Sequence, residues 1–284
     1  MFIVKYRKIF FAISAMLVVV SIAVVIIRGL HFGIDFKGGS LTEVSYKDAR
    51  PETLELKTAV DVLSLGDVRI QPAGERDVII RTKSLSTDEH STLLTALSFD
   101  GKSLFEEKRF SSIGPVVGKE LRSKAWVAIF LVILGIVLFV AFAFRHVSEP
   151  VASWKYGLII VISLLHDIII PTGVVAFLGK DVDTLFIIAL LSIMGLSVHD
   201  SIVVFDRVRE NLRLKKGRDF SETVGKSLEQ TFVRSINTSL TIILVLFALY
   251  FFGPTSTKDF SLILLIGMFF GTYSSIFLGS PLLV

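Results

Sequence analysis

Six apolar runs, at 9–27, 125–144, 157–178, 184–205, 235–252 and 260–280, dominate the chain and limit what it can become. Each approaches the roughly 20 residues that a helix needs to cross a hydrocarbon core about 30 Å thick. The first, IFFAISAMLVVVSIAVVII, follows Lys5, Arg7 and Lys8. It is too long for the apolar part of a secretory signal, and no A-x-A-like cleavage site follows it. It therefore reads as a retained transmembrane helix. Composition agrees: 52% of the residues are hydrophobic before glycine is counted, and 20% are charged. A soluble domain usually reaches about 45–50% apolar only with glycine included, and carries about 25% charge. Intrinsic disorder is excluded by the same figures. The absence of cysteine rules out a disulfide framework, a thiolate metal site and a thiol nucleophile.

The charge is distributed by segment. The net charge is only +4, although the pI is about 9.2. Residues 29–124 hold 14 Lys/Arg and 15 Asp/Glu, so the positive excess belongs to the apolar part. With the N-terminus in the cytoplasm, the short cytoplasmic segments hold Lys5, Arg7, Lys8, Arg145, Lys155, Arg207, Arg209, Arg213, Lys215, Lys216, Arg218 and Lys226. The short outer loops hold Lys180 and Lys258. That asymmetry is the positive-inside pattern, in which long loops do not count. Topology accounts for the basic cluster at 207–218, so nucleic acid is not expected as a partner.

Residues 29–124 alternate strand and helix signals. LTEVSYK (41–47) alternates; Pro51 then opens an amphipathic segment that ends at Gly66. DVRIQ (67–71) and DVIIRTK (77–83) flank the turn PAGER, and residues 86–99 start with a cap at Ser86 or Thr87. After a turn at Asp100-Gly101, KSLFEEKRF supplies a fourth strand. The order βαββαβ is the ferredoxin-like arrangement. His90 has no second His or Cys nearby and reads as a solvated surface residue. Gly114-Pro115 and Gly118 break the chain before the second run, as a hinge or as a plain connector. The expected architecture is therefore a polytopic α-helical membrane protein with six transmembrane helices. Residues 1–28 form the cytoplasmic N-terminus and first helix, and 29–124 a ferredoxin-like extracytoplasmic α+β domain. Residues 125–284 form helices two to six, with a basic cytoplasmic loop at 206–230.

The polar residues inside the runs carry the chemistry. His166 and Asp167 fall in the middle of the third run, where Pro171 and Gly173 can kink or loosen the helix. His199 and Asp200 lie near the cytoplasmic end of the fourth. Arg234 starts the fifth, and Arg234, Asn237/Thr238 and Thr241 recur along one helix face. Ser163 and Asp167 share a face by the same rule. An Asp or Arg in the hydrocarbon costs at least about 2.5–3.5 kcal/mol, so such residues pair or meet water. Low dielectric disfavours a carboxylate's charged form, whereas a guanidinium does not deprotonate. An Asp200–Arg234 pair is then either a two-state element, loosened when Asp200 takes a proton, or a static pair that holds helices together. Driving a proton across the membrane field is worth about 2.3 kcal/mol per 100 mV, enough to bias such an equilibrium. His166 and His199 can orient their neighbouring aspartates, shuttle protons or bond a backbone carbonyl. Adjacent His-Asp cannot share one metal and H-E-x-x-H is absent, so no metal or other cofactor is expected. Neither a Gly-x-Ser-x-Gly motif, a P-loop nor a dinucleotide fingerprint is present; GGS at 38–40 reads as a turn. In the sixth run Gly267, Gly271 and Ser274/Ser275 place small residues on one face for helix packing.

Several of these motifs together resemble the SecD/SecF secretion accessory family, specifically its SecF side. They are GIDFKGGS (33–40), GPVVGKEL (114–121), HDSIVVFDRVREN (199–211), RSINTSLT (234–241) and GTYSSIF (271–277). Position 199 is His where Asn is usual, and position 37 is Lys where Thr is common. The resemblance implies a six-span half of the resistance–nodulation–division architecture, completed to twelve spans by SecD, in the bacterial cytoplasmic membrane. It implies work with the SecYEG channel, drawing translocating preprotein outward with the proton-motive force rather than ATP. It also implies Asp200 and Arg234 as the proton-linked pair, Asp167 as a further position, and a basic tail beyond the sixth span, which Val284 directly follows. Na⁺ is an alternative coupling ion. A self-contained exporter of small molecules or lipids needs another six spans or a homodimer, and no second copy of the six-span pattern is present. A passive assembly protein and an enzyme complete the alternatives.

Overall fold

The computed structural model describes residues 2–99, 101, 103–144, 152–214, 217 and 219–284. Asp100 of the expected turn, and Arg145, Lys215, Lys216 and Arg218 of the basic set, lie outside the described residues. The chain divides into two compact units, Met1–His31 with Val127–Val284, and Phe32–Trp126. In chain order its main elements are α1 (Arg7–Arg28), β1 (Gly39–Tyr46), α2 (Thr53–Asp61), β2 (Arg69–Ala73), β3 (Asp77–Thr82), α3 (Thr87–Leu97) and β4 (Phe105–Ile113). They are followed by α4 (Pro115–Ala143), α5 (Ser153–Phe177), α6 (Thr184–Arg213), α7 (Phe220–Phe252) and α8 (Thr255–Ser274). A π-helical turn, Ser275–Gly279, continues α8.

In the unit of residues 32–126, all sheet neighbours are antiparallel and the strand order is β2-β3-β1-β4. Alternation puts Val44, Tyr46, Val78 and Ile80 on one face, where they form a core with Leu56 and Val60 of α2 and Leu93 and Leu97 of α3. Tyr46 donates to the Leu97 carbonyl at 3.1 Å, and burial pushes its hydroxyl from 10.0 to about 12. Pro72, expected in a turn, lies within β2; an edge strand tolerates it because one side of its ladder is unpaired. Ser86 and Glu89 form a reciprocal capping box on α3, starting the helix where the cap residues place it. Hydrogen bonds from Lys83 and from the Ser86 N–H hold the Glu89 carboxyl below its ordinary value. His90 corrects the surface reading: its ring stacks on Phe110 at 3.7 Å, and Nε2 lies 2.9 Å from Glu107.

The glycine motifs here are close approaches. Gly38 and Gly39 have φ of 80° and 139°, a region that excludes most side chains. A Cβ at Gly38 would fall 2.8 Å from Pro115 Cα, and one at Gly118 would fall 2.8 Å from the Gly38 nitrogen. Pro115 opens α4 where its missing N–H is no loss, and Gly118 lies inside that continuous helix. The expected break at 114–118 is therefore a helix start and a packing contact.

The other unit contains all or part of six helices long and apolar enough to cross a membrane. Asp183 caps α6 by accepting from the Phe186 N–H at 2.8 Å, and Asp219 caps α7 by accepting from Glu222 N–H at 2.7 Å. α5 runs unbroken through Pro171, and Thr172 returns a hydroxyl to the Ile168 carbonyl at 2.6 Å. Gly173, expected to loosen α5, instead seats α1: a Cβ there would lie 2.7 Å from Ser21 Cα. Gly267 of α8 faces Ile193 of α6, where a Cβ would fall 2.1 Å from Ile193 Cδ1. The apolar surfaces of α1, α4 and α7 are largely left uncovered by the rest of the chain.

Candidate functional site: two carboxylates held by serines

Asp167 of α5 is fully buried, as is His166 beside it. Its Oδ1 lies 2.9 Å from His166 Nδ1, and its Oδ2 accepts from Ser274 at 2.8 Å and from Ser197 of α6. A buried carboxylate survives only with such partners. The His166 ring stacks on Tyr273 of α8, whose hydroxyl donates to the Phe10 carbonyl of α1 at 3.2 Å. His166 Nε2 and Ser163 Oγ are buried without a hydrogen-bond partner. Gly271 leaves the space beside this carboxylate: a Cβ there would stand 3.7 Å from Asp167 Oδ2.

Asp200 lies almost one turn along α6 from Ser197. Its Oδ1 accepts from Ser235 of α7 at 2.6 Å, and its Oδ2 accepts from Ser275 at the start of the π-helical turn. Asp200 also lines a cavity of about 60 Å³ with His199, Arg234, Thr238, Ser239 and Met268, among others. That volume admits a few waters, to which the polar side chains of its lining can bond.

The expected Asp200–Arg234 ion pair is not formed. Helix geometry explains this: successive side chains point about 100° apart, so with Ser235 facing Asp200, Arg234 is turned outward. Arg234, Asn237, Thr238 and Thr241 do line one face of α7, but that face is exposed. Thr241 returns its hydroxyl to the Asn237 carbonyl at 2.8 Å. The inward stripe is Ser227, Thr231, Ser235 and Ser239, all buried at strict four-residue spacing. That spacing was legible in the sequence but overshadowed by the charged residue beside it. His199 is exposed at the cavity, whereas His166 is enclosed. Ser274 and Ser275, read as packing residues, are carboxylate donors, and Ser197 was missed altogether. No group of three or more potential His/Cys/Asp/Glu metal ligands occurs among the described residues.

Beyond the site, the motif around Asp206–Asn211 fastens helix ends. Arg207 Nε donates to Gln230 at 2.6 Å, and Asn211 Nδ2 donates to Ser227 at 2.9 Å and Gln230 at 2.8 Å, joining α6 to α7. Arg209 pairs with Asp206 and stacks over Phe144.

Residues 94–284 match the family model "Protein export membrane protein SecD/SecF, C-terminal", and residues 23–49 match the SecD/SecF GG motif. A protein translocase subunit SecF from Thermobaculum terrenum is 41% identical over 99% of this chain and 92% of its own length. The Pseudomonas aeruginosa subunit of the same name is 36% identical over 98% of this chain and 91% of its own. The crystal structure of Thermus thermophilus SecDF, described as a translocon-associated membrane protein, superposes with a TM-score of 0.84 at 30% identity. That match covers 98% of this chain and 37% of the SecDF chain. A SecDF structure in a super-membrane-facing form gives 0.66 at 31% identity, again covering 37% of that chain. With one family model covering most of the chain and relatives aligned almost end to end, this protein belongs to the SecD/SecF family of protein-export membrane proteins, and its full-length counterparts there are SecF subunits.

Proposed function

We propose that the chain is an accessory subunit of the Sec translocase that couples the proton-motive force to late steps of protein export, with Asp200 as the carboxylate that takes and releases the proton. The observation that carries this reading is the setting of Asp200. A carboxylate held by two hydroxyls, beside a small cavity that Arg234 also lines, can exchange a proton with water while remaining inside the helix bundle. Arg234 acts across that cavity as a fixed positive charge. Asp167, with His166, is a second carboxylate behind it.

The exposed stripe Arg234, Asn237, Thr238 and Thr241 supports a partner in the membrane. Turned to lipid, an arginine at the start of a span is costly unless its charge reaches the interface; covered by another helical bundle it can be paired. The partner is SecD, supplying the other half of a twelve-span unit. The SecYEG channel and the emerging preprotein are the other partners. The chain lies in the bacterial inner membrane with its N-terminus in the cytoplasm. Residues 29–124 form the extracytoplasmic module, and the strand order β2-β3-β1-β4 with two helices supports its ferredoxin-like assignment. The module handles polypeptide and uses no cofactor or hydrolytic chemistry. A stand-alone exporter of small molecules or lipids is disfavoured by the uncovered polar stripe.

Asp200→Asn tests the role. Membranes carrying it should retain SecD on co-purification yet lose the stimulation of export. Undiminished stimulation would remove Asp200 from the mechanism, and failure of SecD to co-purify with the unaltered chain would remove the partner.

A further inference from the structure

Ser274 and Ser275 are adjacent in sequence, yet they donate to carboxylates on two different helices. Ser274, the last residue of α8, reaches Asp167 on α5; Ser275, the first of the π-helical turn, reaches Asp200 on α6. Ser197, on the same helix as Asp200, donates to Asp167 and closes a ring through the backbone of α6. Each of the adjacent serines also has a second acceptor within reach. Ser274 Oγ is 3.0 Å from the Gly271 carbonyl, and Ser275 Oγ is 3.1 Å from the Thr272 carbonyl. A hydroxyl has one proton to donate, so each serine chooses between its carboxylate and its own helix. The choice is made at a π-helical turn, an irregularity often found at functional sites. There Ser280 Oγ donates to the Ser275 carbonyl at 2.7 Å.

We propose that Ser274 and Ser275 are positioning residues that couple Asp167 to Asp200, so that the two carboxylates bind protons as one linked unit. This rests on the reading of Asp200 as the proton site. A proton added to Asp200 at the oxygen facing Ser275 turns that oxygen from acceptor to donor. Ser275 then accepts from it and turns its own hydroxyl proton to the Thr272 carbonyl. The peptide between the serines carries the adjustment to Ser274, and so to the hydrogen bond on Asp167. No bond other than hydrogen bonds is made or broken, and the proton comes from water in the cavity that Asp200 lines. Beside the two carboxylates stand His166 of α5, His199 of α6, Arg234 of α7 and Tyr273 of α8. His166 and Tyr273 lie on the Asp167 side, while His199 and Arg234 lie at the Asp200 cavity.

The test is an infrared titration of carboxylic-acid bands in the full chain, purified with its SecD partner in lipid, the bands being assigned with Asp167→Asn and Asp200→Asn. Asp200→Asn should change the proton affinity of Asp167 about tenfold, within the usual span of coupling between sites, and Asp167→Asn should change that of Asp200 equally, because linkage is reciprocal. In the Ser275→Ala background the tenfold effect should fall to about threefold or less, what remains being direct electrostatics. Ser275→Thr keeps the hydroxyl and should keep the coupling. An effect of equal size with and without Ser275, or one lost in Ser275→Thr as fully as in Ser275→Ala, overturns the proposal. If Asp200 shows no titrating band, the reading of Asp200 itself fails; if it titrates while Asp167 is indifferent to it, only the coupling fails.

Discussion

Replacing Asp167 by alanine removes the partner of three buried polar atoms: His166 Nδ1, Ser197 Oγ and Ser274 Oγ. Ser274 has the Gly271 carbonyl 3.0 Å away as a replacement, so His166 and Ser197 are the two left unsatisfied. At about 1–3 kcal/mol for each buried polar atom without a partner, the loss is about 2–6 kcal/mol before any cavity term. Asparagine keeps the size and one carbonyl oxygen, and its NH₂ can donate to a serine that turns to accept. It should lose about 1–2 kcal/mol, the scale of one imperfect hydrogen bond. With about 2–4 °C per kcal/mol for a unit of this size, alanine lowers the unfolding midpoint by about 4–24 °C and asparagine by about 2–8 °C. The assay is thermal unfolding in lipid nanodiscs, followed by loss of the monodisperse species. Equal midpoints for the two variants would refute the reasoning, because they would mean that the hydrogen bonds around Asp167 carry no net stability.

Gly267→Ala drives a methyl into Ile193 and should lower stability by about 1–3 kcal/mol, whereas Gly271→Ala meets its nearest neighbour at 3.4 Å and should be milder; the same nanodisc melts compare them. In the outer module, Tyr46 is raised from 10.0 to about 12, so its neutral form is favoured in the folded state by about 3 kcal/mol. That stability is complete below pH 10.0 and is lost as pH rises towards about 12; Tyr46→Phe should flatten this alkaline loss in a circular-dichroism titration. Ser86→Ala removes the hydroxyl half of the α3 capping box and should cost about 1 kcal/mol, read as faster amide hydrogen exchange in the first turn of α3.

The large features of the fold were legible because they rest on short-range rules. Span length set the six apolar helices, alternation set the strands of the outer module, and a cap at Ser86 or Thr87 marked the start of α3. The candidate site was legible by residue type but not by partnership. Asp167, Asp200 and Arg234 stood out as ionisable groups in apolar runs, yet the pairing of Asp200 with Arg234 assumed that opposite charges meet. Which of two adjacent residues faces inward depends on helix rotation, and that is set by packing along the whole span. On α7 the rotation follows the serine and threonine stripe, which lets α7 pack on its neighbours, and it leaves Arg234 on the rim. Gly38 reads as a turn, Gly118 as part of a hinge or plain connector and Gly173 as a kink or loosening, because sequence shows a missing side chain but not the neighbour that fills its place. His90 was read as solvated for a similar reason: Phe110 and Glu107, which enclose it, come from a strand about 20 residues away.

The central claim is that Asp200 carries the proton that drives the late steps of export. Its most direct measurement is made in proteoliposomes holding SecYEG and this chain with SecD, with a preprotein arrested part-way and a pH gradient then imposed. The unaltered chain should complete translocation only while the gradient stands, and Asp200→Asn should stall as completely as the unaltered chain does once the gradient is collapsed. Completion by Asp200→Asn at the unaltered rate under the same gradient would contradict the account.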